Sequence, residues 1–305
     1  MSSSRANSGR PRRSALYMPG SNPRALEKAR GLAADCLILD FEDAVAPDAK
    51  ALAREQVAAA IEQGGYGRRE LIVRTNGLDT SWGEDDLKAV AAMCDDNGPH
   101  AVLLPKVESR QMITDAIAVL DDAGAPTNLA IWCMMETPLG MLHAEEIAFA
   151  DPRVRGLVMG TSDLAKDLNA RHTPDRIPFM TSLGLCILAA RAAGIAILDG
   201  VHLDLADDEG FRAACVQGLE LGMDGKTLIH PKTIAAANDV FRPTADEVAW
   251  SERIIAAHAE AEAEGKGVLL VDGKLIENLH VEAAKRLVAL ADAITEMEPS
   301  AKTVE

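Results

Sequence analysis

The amino-acid sequence predicts an α/β protein, a (β/α)8 TIM barrel followed by a small helix–hairpin–helix extension. Three observations predict it. Eight short apolar runs alternate with Ala-rich helical stretches between residues 15 and 229. Several of those runs finish in a charged residue, as in a parallel barrel that keeps its site at the strand C-termini. The turn after the first run, MPGSNPRAL, is no G-x-G-x-x-G, and no P-loop occurs anywhere, which disfavours an open doubly wound sheet.

Taken in order, the candidate strands are residues 15–18, 36–41, 71–74, 101–106, 129–135, 156–160, 196–199 and 226–229. Between them lie helical patterns such as PRALEKARGLAA, AKALAREQVAAAIEQ and SRQMITDAIAVLDDAG. Beyond His230 the alternation stops. A helix is expected over 245–264, then a hairpin in VLLVDGKLIENL with Asp272-Gly273 at its turn, then a helix to about residue 296. Domain boundaries follow: a disordered Ser/Arg-rich tail over 1–13, a catalytic barrel over 14–244, and a lid or oligomerisation extension over 245–305.

Composition narrows the function class. The chain has 31 basic and 47 acidic residues, a net charge of −16, which argues against nucleic acid and anionic membranes as partners. Aromatic residues make up only 3%, too few for base-stacking platforms. No apolar stretch reaches the roughly 20 residues that span a bilayer. Cys36, Cys94, Cys133, Cys186 and Cys215 are odd in number and lack C-x-x-C spacing, which predicts reduced thiols and a cytoplasmic protein.

The candidate chemistry sits at the strand ends. Glu136 closes the run LAIWCMMETPLG, and Pro138 keeps the residue before it out of a helix. Asp163, in GTSDLA, ends the next run; like Ser162 it is a good helix cap, and a cap at a barrel mouth can also bind a metal. Arg74 ends RELIVR and suits a bidentate grip on substrate oxygens or an ion pair with Asp40 or Glu42. Two carboxylates and a guanidinium there suit a hard cation such as Mg²⁺ holding an anionic oxygen substrate. Asp40, Glu42 and Asp43 form an acidic group of open role, and Lys106 is a candidate cleft cation. Arg24 and Lys28 lie four apart on one helical face, near Asn22, and suit a phosphate-bearing handle. His202 and His280 are isolated and read as structural.

Together the segments RSALYMPGSNPRALEKA, LILDFEDAVAPDAKALAR, IVRTNGLDT, LLPKVES, METPLGML, GTSDLAKDL and GKTLIHPKTIAAAN resemble the citrate lyase β-subunit-like family, the HpcH/HpaI aldolase superfamily. Within it the likeness is greatest to the malyl-CoA thioesterase branch, beside the malyl-CoA/β-methylmalyl-CoA lyases. The resemblance implies that Glu136 and Asp163 bind Mg²⁺, or Mn²⁺ in its place, and that Arg74 contacts the substrate carbonyl or carboxylate. It implies that Tyr17, Met18, Lys28, Ile229 and His230 line an acyl-CoA site, and Ser162 is a further candidate for substrate binding. Family lyases often carry Arg where this chain has Asn22, and Arg24 is the candidate substitute. Glu277 stands in the tail motif where many of those lyases have an acid/base Asp. The implied reaction is hydrolysis of (3S)-malyl-CoA, with carbon–carbon cleavage of malyl-, β-methylmalyl- or citramalyl-CoA as the alternative. A subunit of a citrate-lyase-type complex is the second alternative. The implied assembly is a homotrimer or homohexamer.

Overall fold

A computed structural model describes residues 9–95, 97–263 and 269–298. Its strands are β1 (Ser14–Pro19), β2 (Cys36–Asp40), β3 (Glu70–Arg74), β4 (Ala101–Leu104), β5 (Ala130–Met135), β6 (Val154–Met159), β7 (Ala196–Asp199) and β8 (Gly225–Leu228). They pair in that order as a closed parallel barrel, and β8 returns to β1 with Ser14 opposite Lys226. The eight-stranded barrel is the one expected. Buried on both faces, most of these strands read as largely apolar runs.

Period-two alternation divides the strand residues into two cores. Inward positions, among them Ala15, Ile38, Ile72, Leu103, Trp132, Met134, Val158 and Leu198, fill the barrel. Outward positions, among them Leu16, Met18, Leu37, Leu39, Val73 and Ile131, pack with helical side chains such as Leu26, Val57 and Ile113. The Trp132 indole occupies the space facing Gly156, where a Cβ would stand 2.4 Å from the ring.

Residues 12–241 make one compact unit, and residues from 242 onward, with 9–11, make another. Of the tail expected over 1–13, residues 1–8 lie outside the described residues. Its last two residues are no tail: Arg12 and Arg13 are buried, with Arg12 Nη2 3.0 Å from Glu70 Oε1 and Arg13 Nη2 2.9 Å from Asp35 Oδ1. The buried carboxylates at the lower ends of β2 and β3 need these cations, because an unpaired buried charge is costly.

The second unit carries a helix, Ala245–Ala263, the hairpin β9 (Leu269–Val271) and β10 (Lys274–Ile276), and a closing helix, Asn278–Met297. Asp272 at φ 49° and Gly273 at φ 77° form the tight turn the Asp-Gly pair predicts. Ile254, Val271, Ile276, Val281 and Ala284 make its core. No helix among the described residues is long and apolar enough to cross a membrane.

Candidate active site

The inward parity that fills the barrel with apolar side chains continues one step past it and switches to polar ones. Tyr17 follows Ala15 inward on β1, Asp40 follows Ile38 on β2, and Arg74 follows Ile72 on β3. Glu136 follows Trp132 and Met134 beyond β5. These residues, with Asp43, Gly160, Thr161, Ser162, Asp163, Thr227 and Ile229, line a cavity of about 310 Å³.

Asp40 and Arg74 are register partners across β2 and β3. Their carboxylate and guanidinium meet fork to fork, with Nε 2.7 Å from Oδ1 and Nη2 2.7 Å from Oδ2. Asp40 also accepts the amides of Glu42 and Ala44, at 2.9 and 3.1 Å, which folds the loop after β2 around it. Of the two roles open to Arg74, the ion pair is present, and the side chain nevertheless lines the cavity. Its Nη1 lies 3.3 Å from Asp43 Oδ2 and 2.7 Å from Glu42 Oε2. The latter approach is off the hydrogen-bonding direction and leaves that buried oxygen without a hydrogen bond. Burial disfavours the Arg74 cation, yet the Asp40 bonds outweigh it and hold its pKa well above the usual value. The guanidinium also stacks on Tyr17, 4.8 Å from the ring centroid.

Glu136 is 3% exposed. Its Oε1 accepts the backbone amide of Lys106 at 2.8 Å. Lys106 presents that amide from a left-handed conformation, φ 46°, uncommon for a residue with a Cβ. The Lys106 side chain, read from the sequence as a cleft cation, is half exposed, with Nζ 3.5 Å from Glu42 Oε1. It is therefore the backbone of Lys106 that bonds Glu136. Gly160 closes the other side, where a Cβ would stand 2.4 Å from both Cβ and Oε2 of Glu136. Desolvation, then the nearby charge of Glu42, push the Glu136 carboxyl up to about 7.

Asp163 is the third residue of the helix Thr161–Asp167, whose cap is Gly160 and has no side-chain bond. The capping role expected of Ser162 and Asp163 is thus not adopted. The Asp163 carboxylate remains partly exposed on the cavity wall, 3.4 Å from Lys166 Nζ.

The donor set fits a hard divalent ion. Glu136 is a buried carboxyl whose Oε1 accepts one backbone amide, and Asp163 lines the same cavity. No group of three or more His, Cys, Asp or Glu that could hold an ion exists among the described residues. A pair of carboxylates in one cavity suits Mg²⁺, which is commonly bound by one or two carboxylates while keeping waters or substrate oxygens.

The other candidates lie elsewhere. Met18 is buried at 5% in the outer core, because β1 alternation turns it away from Tyr17. Asn22 caps the helix Pro23–Ala29 by accepting the Ala25 amide at 3.1 Å, and Arg24 and Lys28 are exposed on that helix. His230 is exposed and accepts the Lys232 amide at 3.1 Å. Glu277 belongs to the second unit, where it starts the closing helix and donates its amide to His280 Nδ1 at 3.0 Å. Gly160, Met134 and Thr227 escaped the sequence reading. The inward parity of β5, β6 and β8 was the signal that could have found them.

Comparison with known proteins agrees with this geometry. Residues 13–231 match the family described as HpcH/HpaI aldolase/citrate lyase. The chain is 52% identical to a (3S)-malyl-CoA thioesterase of Cereibacter sphaeroides, over 95% of this chain and 98% of that one. It is 34% identical to an L-malyl-CoA/β-methylmalyl-CoA lyase of the same species, over 94% of this chain and 96% of that one. A crystal structure of CitE from Mycobacterium tuberculosis, in complex with magnesium, acetoacetate and coenzyme A, superposes with a TM-score of 0.71 at 28% identity. That match covers 92% of this chain and 97% of the other. The chain belongs to the HpcH/HpaI aldolase/citrate lyase family.

Proposed function

We propose that this protein hydrolyses (3S)-malyl-CoA to malate and CoA with the help of Mg²⁺. One observation carries the reading: a cavity holding Glu136, Asp163 and Arg74, in a chain 52% identical to a (3S)-malyl-CoA thioesterase. Glu136 and Asp163 would hold the ion, with Ser162 beside it. When bound, the ion supplies positive charge to the malyl carboxylate and hydroxyl oxygens. Arg74 keeps its guanidinium plane fixed on Asp40 and turns Nη1 from the exposed Asp43 to a substrate oxygen. Tyr17 and Ile229 bound the acyl end. Asn22, Arg24, Lys28 and His230 are assigned to the CoA moiety on the family resemblance, which likewise gives Glu277 the acid/base role; the Met18 side chain, buried in the outer core, is not among them. The same resemblance supports a homotrimer or homohexamer, the five free cysteines suit the cytoplasm, and Mn²⁺ is the alternative ion.

The deciding experiment supplies purified protein with (S)-malyl-CoA and Mg²⁺ and follows malate, glyoxylate, acetyl-CoA and free CoA together. Equal amounts of malate and CoA, without glyoxylate, are expected. Glyoxylate with acetyl-CoA would replace this reading with carbon–carbon cleavage, the activity that the name of the 34% identical lyase carries. Gly160→Ala should lower kcat about 100-fold, since a displacement of Glu136 near 1 Å is enough for a loss of that size. Unchanged kcat would mean that the contact between Gly160 and Glu136 does not govern the chemistry.

A further inference from the structure

β1 and β5 stand on opposite sides of the eight-stranded barrel, yet Tyr17 and Met134 meet across it. The Tyr17 hydroxyl donates to Met134 Sδ at 3.4 Å. Both side chains line the cavity, and Tyr17 packs on the inner core that includes Ile38, Ile72, Leu103 and Trp132. The contact therefore lies on the floor of the cavity, near the barrel axis. A thioether is a weak acceptor, so the phenolic proton is left close to unsatisfied. In a desolvated place a better acceptor would gain more than it would in water.

The ring cannot easily drift from this position, because it stacks on a guanidinium that Asp40 holds at two points. Burial also raises the phenol well above its usual pKa, so it stays a donor at neutral pH. Nearby, the Thr227 hydroxyl is already committed to the Asp199 carbonyl at 3.0 Å. A fixed donor on the floor of the cavity, beside the Arg74 guanidinium, is the arrangement that stabilises charge developing on oxygen.

We propose that the Tyr17 hydroxyl leaves Met134 for the thioester carbonyl oxygen and stabilises the negative charge that forms there during hydrolysis. The assignment rests on the hydrolytic reading above. Water oxygen bonds to the carbonyl carbon as the carbonyl π pair moves onto oxygen, where Tyr17 donates its hydrogen bond. The pair then returns, the C–S bond breaks, and CoA departs as thiolate. The proton lost by water passes through the general base to that thiolate. Tyr17 keeps its own proton throughout.

Tyr17→Phe tests this with one atom removed and the ring stacking kept. Wild-type hydrolysis is measured first, and its absence would overturn both the functional reading and this inference. With an active wild type, the variant should lose about 100-fold in kcat, the scale of a missing oxyanion donor. Its KM should stay within about threefold, and its melting temperature should hold, since a bond to sulfur contributes little. A second variant carrying 3-fluorotyrosine at position 17 keeps the donor and should retain the turnover that Phe loses. Phe and wild type with kcat within about threefold of each other would overturn the inference alone. A raised KM at unchanged kcat would do the same, because it marks a contact made equally in the ground state.

Discussion

Glu136→Gln should abolish turnover of malyl-CoA and yet melt at a higher temperature than the wild type at pH 8 without divalent ions. Burial, then the Glu42 charge, raise the Glu136 carboxyl from 4.5 to about 7. A group raised in the folded state binds more protons folded than unfolded. Its contribution is fully present below pH 4.5 and is lost as the pH rises through about 7. At 1.36 kcal/mol per unit, the buried anion costs the folded protein about 3 kcal/mol at pH 8. Gln keeps the amide contact with Lys106 through its own carbonyl oxygen and carries no charge. The expected gain is ~6–12 °C at pH 8, since 1 kcal/mol moves the midpoint of a domain this size by about 2–4 °C. It should vanish near pH 4. Mg²⁺ should raise the melting temperature of the wild type but not of Glu136→Gln, because only a ligand that binds the folded state stabilises it. A Gln variant that melts below the wild type at pH 8, or that still responds to Mg²⁺, would rule out Glu136 as a buried anion held for a cation.

Arg74→Met should cost both activity and stability. The change leaves Asp40 fully buried without its bidentate partner, and breaking such a pair costs about 3–5 kcal/mol. The amides of Glu42 and Ala44 still bond Asp40, so the lower half of that range is expected. The double variant Asp40→Leu/Arg74→Met removes both charges and should recover most of the melting temperature. It should recover no turnover, because the cavity then lacks its fixed cation. Recovery of kcat together with stability would reduce Arg74 to a structural residue.

The barrel was legible because most strands are buried on both faces and therefore run largely apolar, bounded by Gly, Pro and charged residues. Glu136, Asp163 and Arg74 were legible for a related reason: each stands where such a run ends, and only the mouth of a barrel tolerates charge there. What remained hidden depends on direction. Spacing alone did not separate Asp40, which faces inward and clamps Arg74, from Glu42 and Asp43, two and three residues on in the loop. The family resemblance groups Tyr17 with Met18, although adjacent strand residues point to opposite faces. The Lys106 amide and the Gly160 cleft act through backbone, and no side-chain chemistry announces them. Arg12 and Arg13 looked like a basic tail because their partners, Glu70 and Asp35, are distant in sequence.

The closure of β8 onto β1 and the pairing of β4 with β5 are two seams of one ring. Tyr17, Asp40 and Arg74 come from the amino-terminal four strands, while Glu136, Asp163, Thr227 and Ile229 come from the carboxy-terminal four. One half-ring brings the Arg74 guanidinium, its Asp40 partner and the phenol, and the other brings the Glu136 and Asp163 carboxyls. A chain divided between the helix Arg110–Asp122 and β5 would leave each fragment with only part of the cavity lining. Reassembly of the two fragments would then report itself as activity, because the chemistry exists only where both seams are joined.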